Sequence, residues 1–171
     1  MMDDLCDRLA DDLDRAFPDL VLALQDPLYS GLRRMHGPDA EDLAQETFIR
    51  AYRALQAYDP ERVRTLQLRG WIWTIALNLG RNAFRDRARR PTPAALEDRH
   101  PCHDPEPVDA AAWDRRLSAL SPAQRRAVIL RHVVGLSVTE TALALDKPEG
   151  TVKADVHRGL AKLRSIMEAE A

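Results

Sequence analysis

Aromatic residues are scarce in this 171-residue chain: three each of Trp, Tyr and Phe, 5% in all. Sandwiches and barrels fill their strands with aromatic and β-branched side chains, so a β fold is disfavoured and an all-α protein is expected. The chain has no run of 18 apolar residues, which argues against membrane insertion. Its opening, MMDDLCDRLADD, is acidic where a signal peptide carries a basic stretch and an apolar run, and a cytoplasmic location is expected. Only two cysteines occur, Cys6 and Cys102, with no CxxC pair and no disulfide framework.

Catalytic patterns are missing as well. The five histidines form no H-E-x-x-H, and there is neither a P-loop nor a G-x-S-x-G, so an enzyme is not expected. His100, Cys102 and His103 lack a fourth ligand at zinc spacing, so their segment reads as a plain linker and no metal or other cofactor is expected.

Charge is abundant and unevenly placed. The net charge of −2 conceals blocks of −8 over residues 1–48, +7 over 49–90, −5 over 91–114 and +4 over 115–171. Two basic blocks set between acidic ones suggest two polyanion-facing surfaces. Five of the eleven prolines fall between Pro91 and Pro107, so residues 91–108 read as a Pro-rich linker between two small helical domains, 1–90 and 109–171. Extended, that linker reaches about 60 Å at roughly 3.3 Å per residue, more than a DNA turn of about 34 Å, so the halves are expected to hold separate DNA sites.

In the first half Leu5, Leu9 and Leu13 recur at helical spacing, and Pro18 and Pro27 are expected to break or kink the chain up to Gly37 into two or three short helices. A clearer helix begins at Asp39, with Glu41 and Asp42 in its first turn and Leu43, Phe48, Tyr52 and Leu55 on its apolar side, and ends near Tyr58. A polar, Arg-rich loop, DPERVRTLQLRG, leads to the helix GWIWTIALNLGRNAFRDRARR. There Trp71, Ile75 and Leu79 share the core face, and Trp73, two residues on, is expected at the surface as a stacking candidate.

The second half reads as four helices, the first with Trp113, Leu117 and Leu120 on one side. S-P-A-Q at 121–124 and S-V-T-E at 137–140 are capping boxes that start the second and third. A short turn at 146–148 then leads into a long basic helix, and this pairing describes a helix-turn-helix. Val152, Val156, Leu160 and Leu163 are spaced for burial, leaving Thr151, Lys153, His157, Arg158, Lys162 and Arg164 facing outward. A helix in the major groove presents its N-terminal side chains to base edges and the rest to phosphates. Thr151, Lys153 and His157 are therefore candidate base contacts, and Arg158 and Lys162 candidate phosphate contacts, with Lys147 of the turn beside them.

Three strings, DAEDLAQETF, WIWTIALN and PEGTVK, stand in the order and spacing of extracytoplasmic-function sigma factors, and the chain resembles that branch of the sigma-70 family over about residues 17–165. The resemblance implies that residues 1–90 are a region 2 helical bundle and residues 109–171 a region 4 helix-turn-helix. It further implies binding to core RNA polymerase and promoter DNA, to start transcription of a specific gene set. Residues 39–50 would dock on the β′ clamp helices through Asp39, Asp42, Gln45, Glu46 and Arg50, side chains that share a helix face and suit an Arg-rich partner. The loop 59–70 would capture a flipped minus-ten base with Arg62, Arg64, Gln67 and Arg69, helped by Trp73, Asn78, Arg81, Asn82 and Arg85. Residues 125–134 would grip the β flap, and 151–164 would read the minus-thirty-five element.

An anti-sigma factor that buries the two basic faces is a further partner the resemblance admits. Two departures stand out: Asp146 occupies a turn position where the family commonly has Gly, and Ala154-Asp155 replace a Ser-Arg pair. Asp tolerates the left-handed backbone of such a turn, but Asp155 is expected to set a negative charge beside DNA. From the residues alone, a dimeric helix-turn-helix regulator acting without polymerase is the alternative, and a protein-binding helical module without DNA a third reading.

Overall fold

The computed structural model describes residues 2–89 and 110–170, which form α-helices joined by short turns. The linker reading, with His100, Cys102 and His103, lies outside the described residues. Helix α1 spans Met2–Asp11 and buries Leu5, Cys6 and Leu9. Asp12 is extended and caps α2, Leu13–His36, its carboxylate accepting the Arg15 N–H at 3.2 Å.

Contrary to expectation, Pro18 and Pro27 lie inside one 24-residue helix. A proline in a helix interior costs about 3 kcal/mol. Against this, Leu20, Leu24, Leu28 and Leu32 form an i, i+4 stripe that is wholly buried, at about 1.5–3 kcal/mol each. Pro18 lies on the exposed side, as does Asp14, whose carbonyl loses its helical donor.

A 3₁₀ turn, Gly37–Asp39, leads to α3, Ala40–Ala57, which places Leu43, Thr47, Ala51 and Leu55 against the core and ends at Tyr58 as expected. The Arg-rich segment read as loop contains a short helix, α4, Pro60–Arg64. Its start has the chemistry of an N-terminus: the Asp59 carboxylate accepts the Arg62 N–H at 2.9 Å, and Pro60 fills the first position. Helix α5, Leu68–Arg89, comes after a short connection and starts ahead of Gly70.

The second half holds α6 (Ala110–Ser118), α7 (Pro122–Val128, continuing as a π-helical turn over Ile129–Val133), α8 (Val138–Leu145) and α9 (Glu149–Glu170). Both capping boxes form, with reciprocal bonds of 3.3 Å between Ser121 and Gln124, and of 3.0 and 2.6 Å between Ser137 and Glu140. Asp146 adopts the left-handed conformation expected of it, at φ 51°. On α9, Val152 and Leu163 are buried, but Leu160 remains 38% exposed. It stands at the mouth of a groove of about 840 Å³ lined also by Trp113, Val133 and Met167, where no further helix covers it among the described residues.

Asp155 does not face outward as the sequence suggested. Its side chain is 8% exposed, and its two oxygens accept from Lys147 Nζ at 3.1 Å and Arg158 at 2.8 Å. Burial alone would raise this carboxyl, but the bonds from Arg158 and Lys147 outweigh it and hold the group below its ordinary value.

The halves are packed together instead of standing apart. Helix α5 lies along α8, and α2 meets the π-helical turn. Trp73, expected at the surface, is 3% exposed: its ring fills the space beside Gly31 and Val134, one residue from each half. Trp71, expected in the core, is half-buried against Tyr58, the ring centroids 5.9 Å apart. The period of α5 predicted one buried Trp of the pair, and contact with the second half reversed which.

A methyl group on Gly31 would lie 2.5 Å from Trp73 Cη2 and 2.8 Å from Val134 Cγ2. Gly31→Ala should therefore destabilise the chain by about 1–3 kcal/mol through overpacking, whereas Gly150→Ala, whose added carbon meets nothing within 4 Å, should stabilise it by up to about 1 kcal/mol. Paired urea titrations read both signs. Asp155 has a depressed folded pKa, so its contribution is complete at neutral pH and is lost as pH falls through the carboxylate range to that lower value. Asp155→Asn should cost about 1 kcal/mol at pH 7, discounted for its partly exposed partners, and the difference from wild type should shrink on acidification in pH-dependent denaturation.

Candidate nucleic-acid and polymerase interface

The helix-turn-helix is built by α8, the left-handed turn at Asp146 and α9. Thr139 Oγ1 donates to Glu149 at 2.7 Å, tying the start of α8 to the start of α9. Thr151, Lys153, His157, Arg158 and Lys162 are all exposed along α9, as their spacing required. Lys153 approaches Glu149 at 3.9 Å, a loose i, i+4 pair worth little in water. Lys147 and Arg158 converge on Asp155, which fixes a turn cation and a helix cation on one side of α9. The negative charge that the sequence set against DNA is thus turned inward and used to orient two positive ones.

The second basic face is formed by α4, its flanking turns and α5. Asn78, Arg81 and Asn82 are exposed along α5, and Gln67 is exposed ahead of it; the Arg85 side chain lies outside the described residues. Arg62 is exposed and stacks its guanidinium over the Tyr58 ring at 3.6 Å. The other candidates have partners within the chain. Arg64 bonds Asp11 and Glu61 at 2.7 and 2.8 Å, with Asp7 at 3.9 Å, so the acidic first helix lies over this loop. Arg69 donates to the carbonyls of Val134 and Gly135 at 3.2 and 3.0 Å and approaches Glu140 at 3.6 Å. Trp73 is buried beside Val134 and is not placed to stack on a base in this arrangement. The structure therefore separates Arg62, Gln67, Asn78, Arg81 and Asn82, which are exposed, from Arg64 and Arg69, which are half-exposed and paired within the chain, and from Trp73, which is buried.

Helix α3 presents the third candidate surface. Asp42, Gln45 and Arg50 are exposed and Glu46 is half-exposed, with an Arg50–Glu46 ion pair of 2.7 Å and a Gln45–Glu41 contact of 3.5 Å. Asp39 stands in the turn before them. Ile49, 46% exposed on the same face, was missed by sequence reading. Its signal was an apolar residue four positions from Gln45 and out of step with Leu43, Thr47, Ala51 and Leu55.

Sequence reading also missed the residues that join the halves. Arg125 donates to the carbonyl of Arg34 in the last turn of α2, and Arg34 in turn pairs with Asp114 of α6 at 3.1 Å. Thr74 Oγ1 bonds the Leu143 carbonyl at 3.4 Å. His36 packs on Gly80; burial lowers its pKa, Asp39 opposes that shift, and Arg125 and Arg126 add to it. Among the described residues no group of His, Cys, Asp and Glu is placed to hold a metal ion, and no helix is long and apolar enough to cross a membrane.

Two family models match the chain, sigma-70 region 2 over residues 20–90 and sigma-70 region 4 over residues 110–163. The chain is 37% identical to the ECF RNA polymerase sigma factor SigE of Mycolicibacterium smegmatis over 89% of its own length, spanning 62% of that protein. It is 32% identical to the RNA polymerase sigma-E factor of Streptomyces coelicolor, covering 90% of this chain and 86% of the relative. Among solved structures, CnrH in complex with the cytosolic domain of CnrY superposes with a TM-score of 0.74 at 26% identity, over 99% of this chain and 98% of that one. With both halves matched in order and a relative covered over most of its length, the chain belongs to the sigma-70 family of transcription initiation factors, in its extracytoplasmic-function branch.

Proposed function

We propose that this chain is an alternative sigma factor of the bacterial cytoplasm that binds core RNA polymerase, recognises minus-thirty-five and minus-ten elements and starts transcription of a specific gene set. It contributes binding energy and leaves nucleotide chemistry to the core enzyme. The observation that carries the reading is the α8–turn–α9 unit, with Thr151, Lys153, His157, Arg158 and Lys162 exposed along one basic helix and Asp155 bracing Lys147 and Arg158. Residues 1–90 serve as the polymerase and minus-ten module and residues 109–171 as the minus-thirty-five module, with 91–108 between them.

The division of labour rests on the three surfaces. The α3 face, with Asp42, Gln45, Glu46, Ile49 and Arg50, docks on the clamp helices of β′ through charge-assisted bonds around one apolar contact. Residues 125–134 grip the β flap, with His132 and Val133 exposed and with Arg125 and Val134 first released from their contacts with the other half. Arg62, Gln67, Asn78, Arg81, Asn82 and Arg85 meet the non-template strand, and Arg64, Arg69 and Trp73 join them only after release from their internal contacts. Extruding a base costs a few kcal/mol, which phosphate contacts and stacking in this positive region must offset. The exposed basic faces would also suit an anti-sigma partner, CnrH being a solved relative held by the cytosolic domain of CnrY.

Run-off transcription with purified core polymerase on genomic fragments tests the reading. New start sites that share spaced minus-thirty-five and minus-ten elements are expected; a footprint from the chain alone, with no added transcripts, would favour a stand-alone regulator. On promoters so found, Lys153→Ala should relax preference at one minus-thirty-five position by about 1–3 kcal/mol. Lys162→Ala should instead weaken binding evenly across sequences and reduce the salt slope by about one.

A further inference from the structure

A carboxylate lies beneath the basic face of the helix-turn-helix. The Asp155 side chain is 8% exposed, against 31% for Lys147 and 59% for Arg158, so the anion forms an inner layer and the two cations an outer one. Each oxygen takes one cation: Oδ2 accepts from Lys147 Nζ at 3.1 Å, and Oδ1 from Arg158 Nη2 at 2.8 Å. The cationic nitrogens are therefore held within one carboxylate's width and two hydrogen bonds of each other. An ammonium carries three N–H groups and a guanidinium five, and each gives one to Asp155, which leaves donors for a phosphate oxygen. Glu149, the other acidic residue near this end of α9, is exposed and bonds Thr139 instead.

The pair brackets the reading residues. Lys147 stands in the turn and Arg158 on the helix, with Thr151 and Lys153, the candidate base contacts, between them along the chain. A free lysine or arginine adapts to whatever backbone path it meets, at a cost in rotamer entropy. Held by Asp155, the two offer phosphates a single spacing, and phosphate contacts set the register in which base edges are met. The carboxylate, kept ionised at neutral pH by its two bonds, also repels every phosphate alike. It thus weakens binding to any duplex, and the fixed pair makes up the loss only where the backbone fits it.

We propose that Asp155 is the positioning residue that gives the minus-thirty-five module its selectivity: by fixing Lys147 and Arg158 at one spacing it lowers affinity for duplex DNA in general and favours the duplex whose phosphates match. This inference rests on the sigma-factor reading, and its test tells the two apart.

The full chain is titrated by fluorescence anisotropy onto a minus-thirty-five duplex from the promoters found by run-off transcription, and onto a scrambled duplex of equal length and composition, across a salt series. Asp155→Asn should bind the scrambled duplex about threefold more tightly, the gain from removing one charge about 6 Å from a phosphate in water, with a steeper salt slope. Its preference for the element over the scramble should fall about five- to tenfold, within what one bidentate base contact supplies. Loss of structure alone would weaken both duplexes, so the rise on the scramble separates positioning from folding. Lys147→Met keeps the stem and leaves Asp155 paired with Arg158; in that background Asp155→Asn should cost no more than about twofold in preference, because the pair is already broken. An unchanged preference in Asp155→Asn, or a scrambled affinity that falls with it, would overturn the proposal and leave the sigma-factor reading standing. Equal losses of preference in the two backgrounds would overturn it too. Should Asp155→Asn lose its helical circular dichroism, Lys147→Met alone decides, and a preference equal to wild type would overturn the proposal. A wild type that binds both duplexes alike would sink the underlying reading instead.

Discussion

Trp73 is the residue on which the arrangement turns. Its ring lies between a helix of the first half and the end of the π-helical turn of the second, and it fits only because position 31 carries no side chain. Through it the two halves share one apolar core that runs from Leu20 and Leu32 through Ile72 to Ile129 and Leu136. The aromatic burial supplies energy and the arginine bonds across the seam supply direction, since a hydrogen bond to a carbonyl fixes orientation where apolar contact does not. Arg69 and Arg125 each donate across the seam to carbonyls of the other half.

Charge obeys the same logic of internal satisfaction. The acidic first helix holds Arg64, Glu140 faces Arg69, and Asp155 gathers Lys147 and Arg158. In each case a carboxylate lies beside cations that a polyanion would otherwise take. The outcomes differ by location: Asp155 organises cations that still reach solvent, whereas the Arg69 contact draws its cation between the halves. A near-neutral net charge thus covers a surface whose basic character is available on the α9 face and partly withheld on the α4–α5 face.

Much of this was legible in the residues. The S-P-A-Q and S-V-T-E boxes located two helix starts because capping is a local arrangement among four residues, and Asp146 took the left-handed turn for the same local reason. The exposure of Thr151, Lys153, His157, Arg158 and Lys162 along α9 followed from helical period alone. Tertiary burial overrode local signals elsewhere: the leucine stripe of α2 carried the helix through Pro18 and Pro27, and the second half chose Trp73 over Trp71 for burial. Asp155 defies a local reading because its partners are three and eight residues away, and the eight-residue one sits across a turn that periodicity does not bridge. The Arg69 and Arg125 contacts span 65 and 91 residues, and a backbone carbonyl leaves no mark on a sequence.

The π-helical turn at Ile129–Val133 makes the pairing of the halves sensitive to chain length. A wide turn holds one residue more than an α-helical turn, and here the bonds from Val134 to Ile129 and from Leu136 to Leu130 close it. Deleting one residue in this stretch would restore ordinary helical spacing and leave α7 and α8 individually sound. It would also remove the residue that the widened turn accommodates, shifting Val134 against the tryptophan and the two acceptor carbonyls against Arg69. Insertions and deletions in this turn are therefore felt as a change in how the halves face one another, so the number of residues is under tighter constraint here than side-chain identity.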